Sequence, residues 1–151
     1  MSGRDEPDLM AGRREEAARW FSIATDDGEV VRLCLDAYEP KLAAGAYHCQ
    51  QAIEKLMKGL LVLANVPFSK THDLRTIGGS VVLNYPDWAD LVSATFAWTV
   101  WGYAYRYPGP EDHGLPSPEE LRRALATFDE LATLVSPLLE PGNSGSESNS
   151  V

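Results

Sequence analysis

The stretch from Ile53 to Ala64 constrains the fold most. Ile53, Leu56, Met57, Leu60, Leu61 and Ala64 recur every three or four residues. That spacing lays them on one broad apolar face of an α-helix. Gln51, Glu54, Lys55 and Lys58 fall largely away from it, and Glu54 and Lys58 stand four apart in the favourable order. Pro40 suits the first turn of this helix. Val66-Pro67 ends it near Asn65, because the residue before a proline avoids helical geometry.

Four further segments read as helix or short helix. Ala17, Trp20, Ala24, Val31 and Cys34 carry helical periodicity over about Arg13 to Asp36. Gly28 lies inside that run, so its middle is expected to be bent or close-packed. Asp73 is placed to cap a short helix through Leu74 and Ile77. Gly78-Gly79 then weakens it; Val81-Val82-Leu83 equally reads as a strand, but with no partner strand nearby a short helix pair is expected. Asn84-Tyr85-Pro86-Asp87 is a turn with Asp87 as N-cap, leading into a ring-rich helix from Trp88 to about Arg106. Its rings fall on more than one face, which points to burial on two sides and so to a dimer.

Ser117-Pro118-Glu119-Glu120 is the sharpest local signal: serine at N-cap, proline at N1, glutamate at N3. Leu121, Leu125, Phe128, Leu131, Ala132 and Val135 follow on one face, and Pro137 falls near the end. The expectation is an all-α, antiparallel up-and-down bundle of four to five helices. Its domain is expected over residues 13–139. Residues 1–12 are expected to be a flexible N-terminus, and 140–151 a disordered tail rich in Gly, Ser and Asn.

The 151 residues are 44% hydrophobic, enough for one domain with a core. No apolar run approaches the ~20 residues that span a bilayer, and no apolar stretch follows the polar start as in a secretory signal. A cytoplasmic location without membrane attachment is expected. Cys34 and Cys49 lie inside apolar helical patterns and read as two buried thiols rather than a disulfide. The net charge of −9 argues against a long nucleic-acid groove, though not against a small site. Lys55, Lys58, Lys70 and Arg75 form either a local positive patch or a solvated face.

The chemistry-bearing stretch is Arg106-Tyr-Pro-Gly-Pro-Glu-Asp-His113. An arginine can brace a phosphate through its fork of donors, and a histidine gives and takes protons near neutral pH. The pair is what metal-free phosphodiester chemistry requires. The alternatives are a helix-terminal arginine bonded to the last carbonyls and an exposed loop histidine. His72, between Thr71 and Asp73, reads first as a turn residue and second as a phosphate contact together with Lys70. His48 reads as a satisfied helix histidine. No set of His, Cys, Asp and Glu has metal-ligand spacing and no phosphate-binding glycine loop is present, so neither metal nor cofactor is expected.

Tyr47-His-Cys-Gln-Gln-Ala-Ile-Glu-Lys-Leu-Met-Lys-Gly-Leu-Leu61 resembles the second-helix signature of HEPN domains, small prokaryotic helical bundles. Lys70-Thr-His-Asp-Leu74 is similar to the motif that follows it in that family. Tyr103-Ala-Tyr-Arg-Tyr-Pro108 is similar to its fourth-helix ending. The three agree in order and spacing, and the likeness covers roughly residues 15 to 136.

The resemblance implies a dimerising bundle and, in many members, a metal-independent endoribonuclease whose arginine and histidine stand four to six residues apart. Arg106 and His113, with six residues between them, match that pattern as catalytic residues. Lys70, His72, Tyr105 and Tyr107 would then contact RNA or nucleotide, the tyrosines by stacking on bases. Many such members are toxins neutralised by a nucleotidyltransferase-like antitoxin. Others are non-catalytic dimers that bind such a partner, RNA or a nucleotide. Both readings stand at this level.

Overall fold

The computed structural model describes residues 6–104 and 114–141, and these are helical with no strand. Six α-helices follow in order: α1 Glu6–Asp36, α2 Leu42–Leu63, α3 Leu74–Asn84, α4 Ala89–Ala94, α5 Trp101–Ala104 and α6 Pro118–Val135. Short 3₁₀ turns stand at Pro86–Trp88, Phe96–Val100 and Ser136–Leu139. The architecture is the expected all-α bundle.

α2 is its axis. Ile53, Leu56, Met57, Leu60 and Leu61 are buried, and α1, α3, α5 and α6 all pack on this helix. α1 and α2 run antiparallel: Cys34 meets Gly45 near one end, and Trp20 meets Gly59 toward the other. Gly28 lies against Phe128 of α6, so close that a methyl group there would sit 2.7 Å from Cε1 of the ring. Close packing, one of the two expected reasons for that glycine, is the one observed.

The ends of the helices show why several boundaries differ from expectation. α1 starts at Glu6, two turns before Arg13, and acidic Glu6 and Asp8 stand in its first turn, where the helix dipole favours them. Pro40 lies outside α2, which begins at Leu42. α2 closes with Asn65 at φ 58°, Asn65 N–H bonded to the Val62 carbonyl and Val66 N–H to that of Leu61. This left-handed exit satisfies carbonyls that the helix would otherwise leave open.

Asp73 caps α3 through the Arg75 N–H, as expected, and Ser117 caps α6 through the Glu120 N–H. α3 is one helix rather than a pair of short ones. The expected N-cap at Asp87 is not formed; Tyr85 takes that place and Pro86 follows it. The single ring-rich helix expected from Trp88 to Arg106 is also not formed. Its described part is broken into α4, a 3₁₀ turn and α5. This break explains why the rings face several ways. Trp98 and Trp101 stack on each other and are buried within the chain, while Val100 and Tyr103 face solvent. Ring burial therefore does not itself demand a second copy. Cys49 is buried and Cys34 only half-buried, and both are free thiols. No helix among the described residues is long and apolar enough to cross a membrane.

Candidate functional site

A carboxylate buried in an apolar helix must be matched by donors, or its charge is costly. Glu54 meets that demand. Its side chain is 4% exposed and accepts from Gln50 Nε2 at 3.0 Å and Lys58 Nζ at 3.1 Å. His72 Nδ1 lies 2.9 Å from Oε1 and 3.1 Å from Oε2. Burial by itself raises the Glu54 carboxyl, but the bonds from Gln50, His72 and Lys58, with the Lys58 charge, outweigh it and hold the group below the usual carboxylate range.

Gln50, Glu54 and Lys58 are spaced four apart, so they form a polar stripe along α2 inside a largely apolar helix. The stripe faces inward: Glu54 and Lys58 are buried, which corrects the expectation that they lie away from the apolar face. Lys58 also stands 5.8 Å from the centre of the Phe68 ring.

The stripe continues sideways. Gln51 Nε2 donates to Gln50 Oε1 at 2.7 Å, and Lys55 Nζ donates to Gln51 Oε1 at 2.9 Å. Lys55 also meets Asp27 of α1 at 3.4 Å, and Asp27 holds His48 Nδ1 at 2.9 Å. His48 is thus the satisfied helix histidine expected from sequence. Lys55 and Lys58 are committed to Asp27 and Glu54, and Arg75 lies over the Phe96 ring at 5.1 Å. The expected run of cations is therefore not an open positive face.

Gln50 is the joint of the site. Its Nε2 reaches the backbone carbonyl of His72 at 3.5 Å, and its Oε1 lies 3.3 Å from where a side chain on Gly102 would begin. The Leu74 N–H donates to Thr99 Oγ1 at 3.1 Å, tying the same loop to the turn before α5. On the neighbouring residue, Trp101 Nε1 donates to the Gly114 carbonyl at 2.9 Å, with Gly114 at φ 84°. Such a φ suits glycine and few other residues.

Of the residues nominated from sequence, His72 belongs to this cluster, and Lys70 is exposed two positions before it. Tyr105, Arg106, Tyr107 and His113 lie outside the described residues. Gln50, Glu54, Thr99, Trp101 and Gly102 were not nominated. The spacing of Gln50, Glu54 and Lys58 was a usable signal for three members of the cluster. The tertiary bonds to Thr99 and Gly114 leave no pattern in the sequence. Among the described residues, no three of His, Cys, Asp and Glu gather so that they could hold a metal ion.

Two of the segments that resemble family motifs, Tyr47–Leu61 and Lys70–Leu74, thus meet at Gln50, and Gly102 of α5, just before the third segment begins at Tyr103, lies against the same side chain. The model of the HEPN domain family matches residues 17–138. The chain belongs to the HEPN domain family. No curated protein and no solved structure matches it. In this HEPN chain the match takes in the whole polar cluster, from Asp27 to Gly114, and ends within the Ser136–Leu139 turn.

Proposed function

We propose that this HEPN chain is a metal-independent endoribonuclease, acting as a homodimer and as the toxin of a pair whose antitoxin is nucleotidyltransferase-like. The observation that carries this reading is the meeting of the second-helix signature, the Lys70–Leu74 motif and the end of α5 at Gln50. Two motifs far apart in sequence that share one buried, bonded cluster with the helix leading into the third are what a site would be built on.

In the proposed reaction the RNA 2′-hydroxyl loses its proton as its oxygen attacks phosphorus. The bond from phosphorus to the 5′-oxygen breaks, and that oxygen takes a proton. His113 serves as acid or base, and Arg106 stabilises the charge that builds on the phosphoryl oxygens. Lys70 and His72 contact the RNA backbone, and Tyr105 and Tyr107 stack on unpaired bases. The products are a 2′,3′-cyclic phosphate and a 5′-hydroxyl. Incubation of RNA with the protein in excess chelator tests this. Cleavage leaving those ends, lost in both Arg106→Ala and His113→Ala, is the expected result; cleavage that survives both substitutions overturns it.

A second reading has a specific observation behind it. Lys55 and Lys58 are paired with acids inside the fold, and the net charge is −9, so little of the cluster's positive charge is left to draw RNA in. Those facts favour a non-catalytic dimer that binds a nucleotidyltransferase-like partner, RNA or a nucleotide. RNA or partner bound but RNA uncut in the same assay decides for it.

A further inference from the structure

We propose that Glu54 and His72 form a second proton-transferring pair, with His72 Nε2 as the atom that meets the substrate. This rests on the ribonuclease reading above and adds a catalytic residue to it. The chemistry creates the need. Cleavage removes one proton from the 2′-oxygen and delivers one to the 5′-oxygen, with no change of oxidation state. An arginine keeps its proton throughout, so it carries neither. His113 is one titratable group for this work in each copy of the chain, and His72 would be a second.

The geometry supplies that group. A carboxylate has no proton to give, so His72 Nδ1 is the donor in its bond to Glu54, and Nε2 is left as the exchanging nitrogen. The carboxylate is 4% exposed and the imidazole 63% exposed, so the pair presents a fixed ring to solvent from a buried anchor. A buried carboxylate that sets the tautomer and angle of an acid–base histidine is the division of labour in the serine hydrolase triad. Glu54 is itself held by Gln50 and Lys58, and the His72 backbone by Gln50.

Among the described residues, the charged groups that neighbour His72 are Glu54, which it bonds, Lys58 on the same carboxylate and, along its own chain, Lys70, Asp73 and Arg75, the last lying over the Phe96 ring. Asp73 is occupied in capping α3. The segment from Phe96 to Ala104 contributes no charged residue. His48 is held by Asp27 in a similar way, but its ring is 30% exposed and its anchor belongs to α1, away from the His72 loop. Of the two described histidines, His72 is therefore the one built to meet a ligand.

The test is the pH dependence of RNA cleavage by the full chain and by His72→Gln, with melting curves to confirm folding. His72→Gln is expected to lower kcat by roughly 100-fold or more, to leave KM within about twofold, and to flatten one limb of the pH–rate profile. Glu54→Gln, which alters the positioning residue, is expected to shift that limb and lower kcat less. If His72→Gln cuts RNA with unchanged kcat and both limbs intact, the inference is overturned while the ribonuclease reading stands. If the unmodified protein cuts no RNA, that reading falls and proton transfer by His72 falls with it. The imidazole resonances of His72, followed with a 2′-methoxy oligonucleotide, then separate a binding residue, whose signals move, from a turn residue, whose signals do not.

Discussion

Trp101 Nε1 donates to the Gly114 carbonyl at 2.9 Å, across thirteen positions of sequence. The chain that leaves α5 at Ala104 therefore returns to α5 at Gly114. Gly102, next to Trp101, meets Gln50, so both ends of this excursion are referred to the same buried cluster.

Replacing Trp101 with phenylalanine keeps most of the ring and removes the donor. Stability should fall by about 2–4 kcal/mol, from the lost hydrogen bond and from the space the smaller ring leaves beside Trp98. Under the ribonuclease reading, cleavage should fall by much more than that loss accounts for, because the segment bearing Arg106 and His113 loses its tether. Melting curves and initial rates on the same preparation check this; a rate that changes no more than the folded fraction would contradict it.

Glu54 should make the protein sensitive to acid. Its folded carboxyl titrates below the unfolded value of about 4.3, so its contribution is complete above that pH and is lost as the pH falls through the lower folded value. Glu54→Gln should reduce this dependence. At neutral pH the same change should destabilise by roughly 3 kcal/mol, since Lys58 would remain buried without its counter-charge. Urea midpoints from neutral to acidic pH measure both, and parallel curves for the two proteins would refute the assignment.

Gly28→Ala should destabilise, although alanine is ordinarily the better helix former. The new methyl would sit 2.7 Å from Cε1 of Phe128, a ring that is itself buried. The expected cost is about 1–3 kcal/mol, against the gain of about 1 kcal/mol seen at open helix positions. Equilibrium unfolding decides the sign.

The two thiols should differ in reactivity. Burial raises both above the ordinary thiol value, Cys49 by far the more, with the Asp129 charge adding to the effect there. A thiol reagent should label half-buried Cys34 first and reach Cys49 only on unfolding. Equal rates for both in the native protein would contradict the packing of α2.

The helices were legible where periodicity and caps agreed. Ser117-Pro118-Glu120 and Asp73 marked helix starts that the structure keeps. The ring-rich segment misled because its period is helical on average, while the chain changes from α to 3₁₀ geometry at Phe96. Glu54 and Lys58 were misplaced because charged residues are ordinarily exposed. Here each satisfies the other, and Gln50 and His72 complete the set. His72 was nominated for its neighbours in sequence, but its anchor lies eighteen positions away, and no local pattern encodes that bond.

The central claim is that RNA meets this chain around Gln50, where the second-helix signature, the Lys70–Leu74 motif and α5 come together. Photo-crosslinking of a 4-thiouridine RNA, followed by mapping of the modified peptides, tests it most directly. Cross-links should concentrate in Lys70–Leu74 and in residues 102–114. Cross-links confined to the pocket lined by Phe21, Asp129 and Thr133, or none at all, would contradict the account.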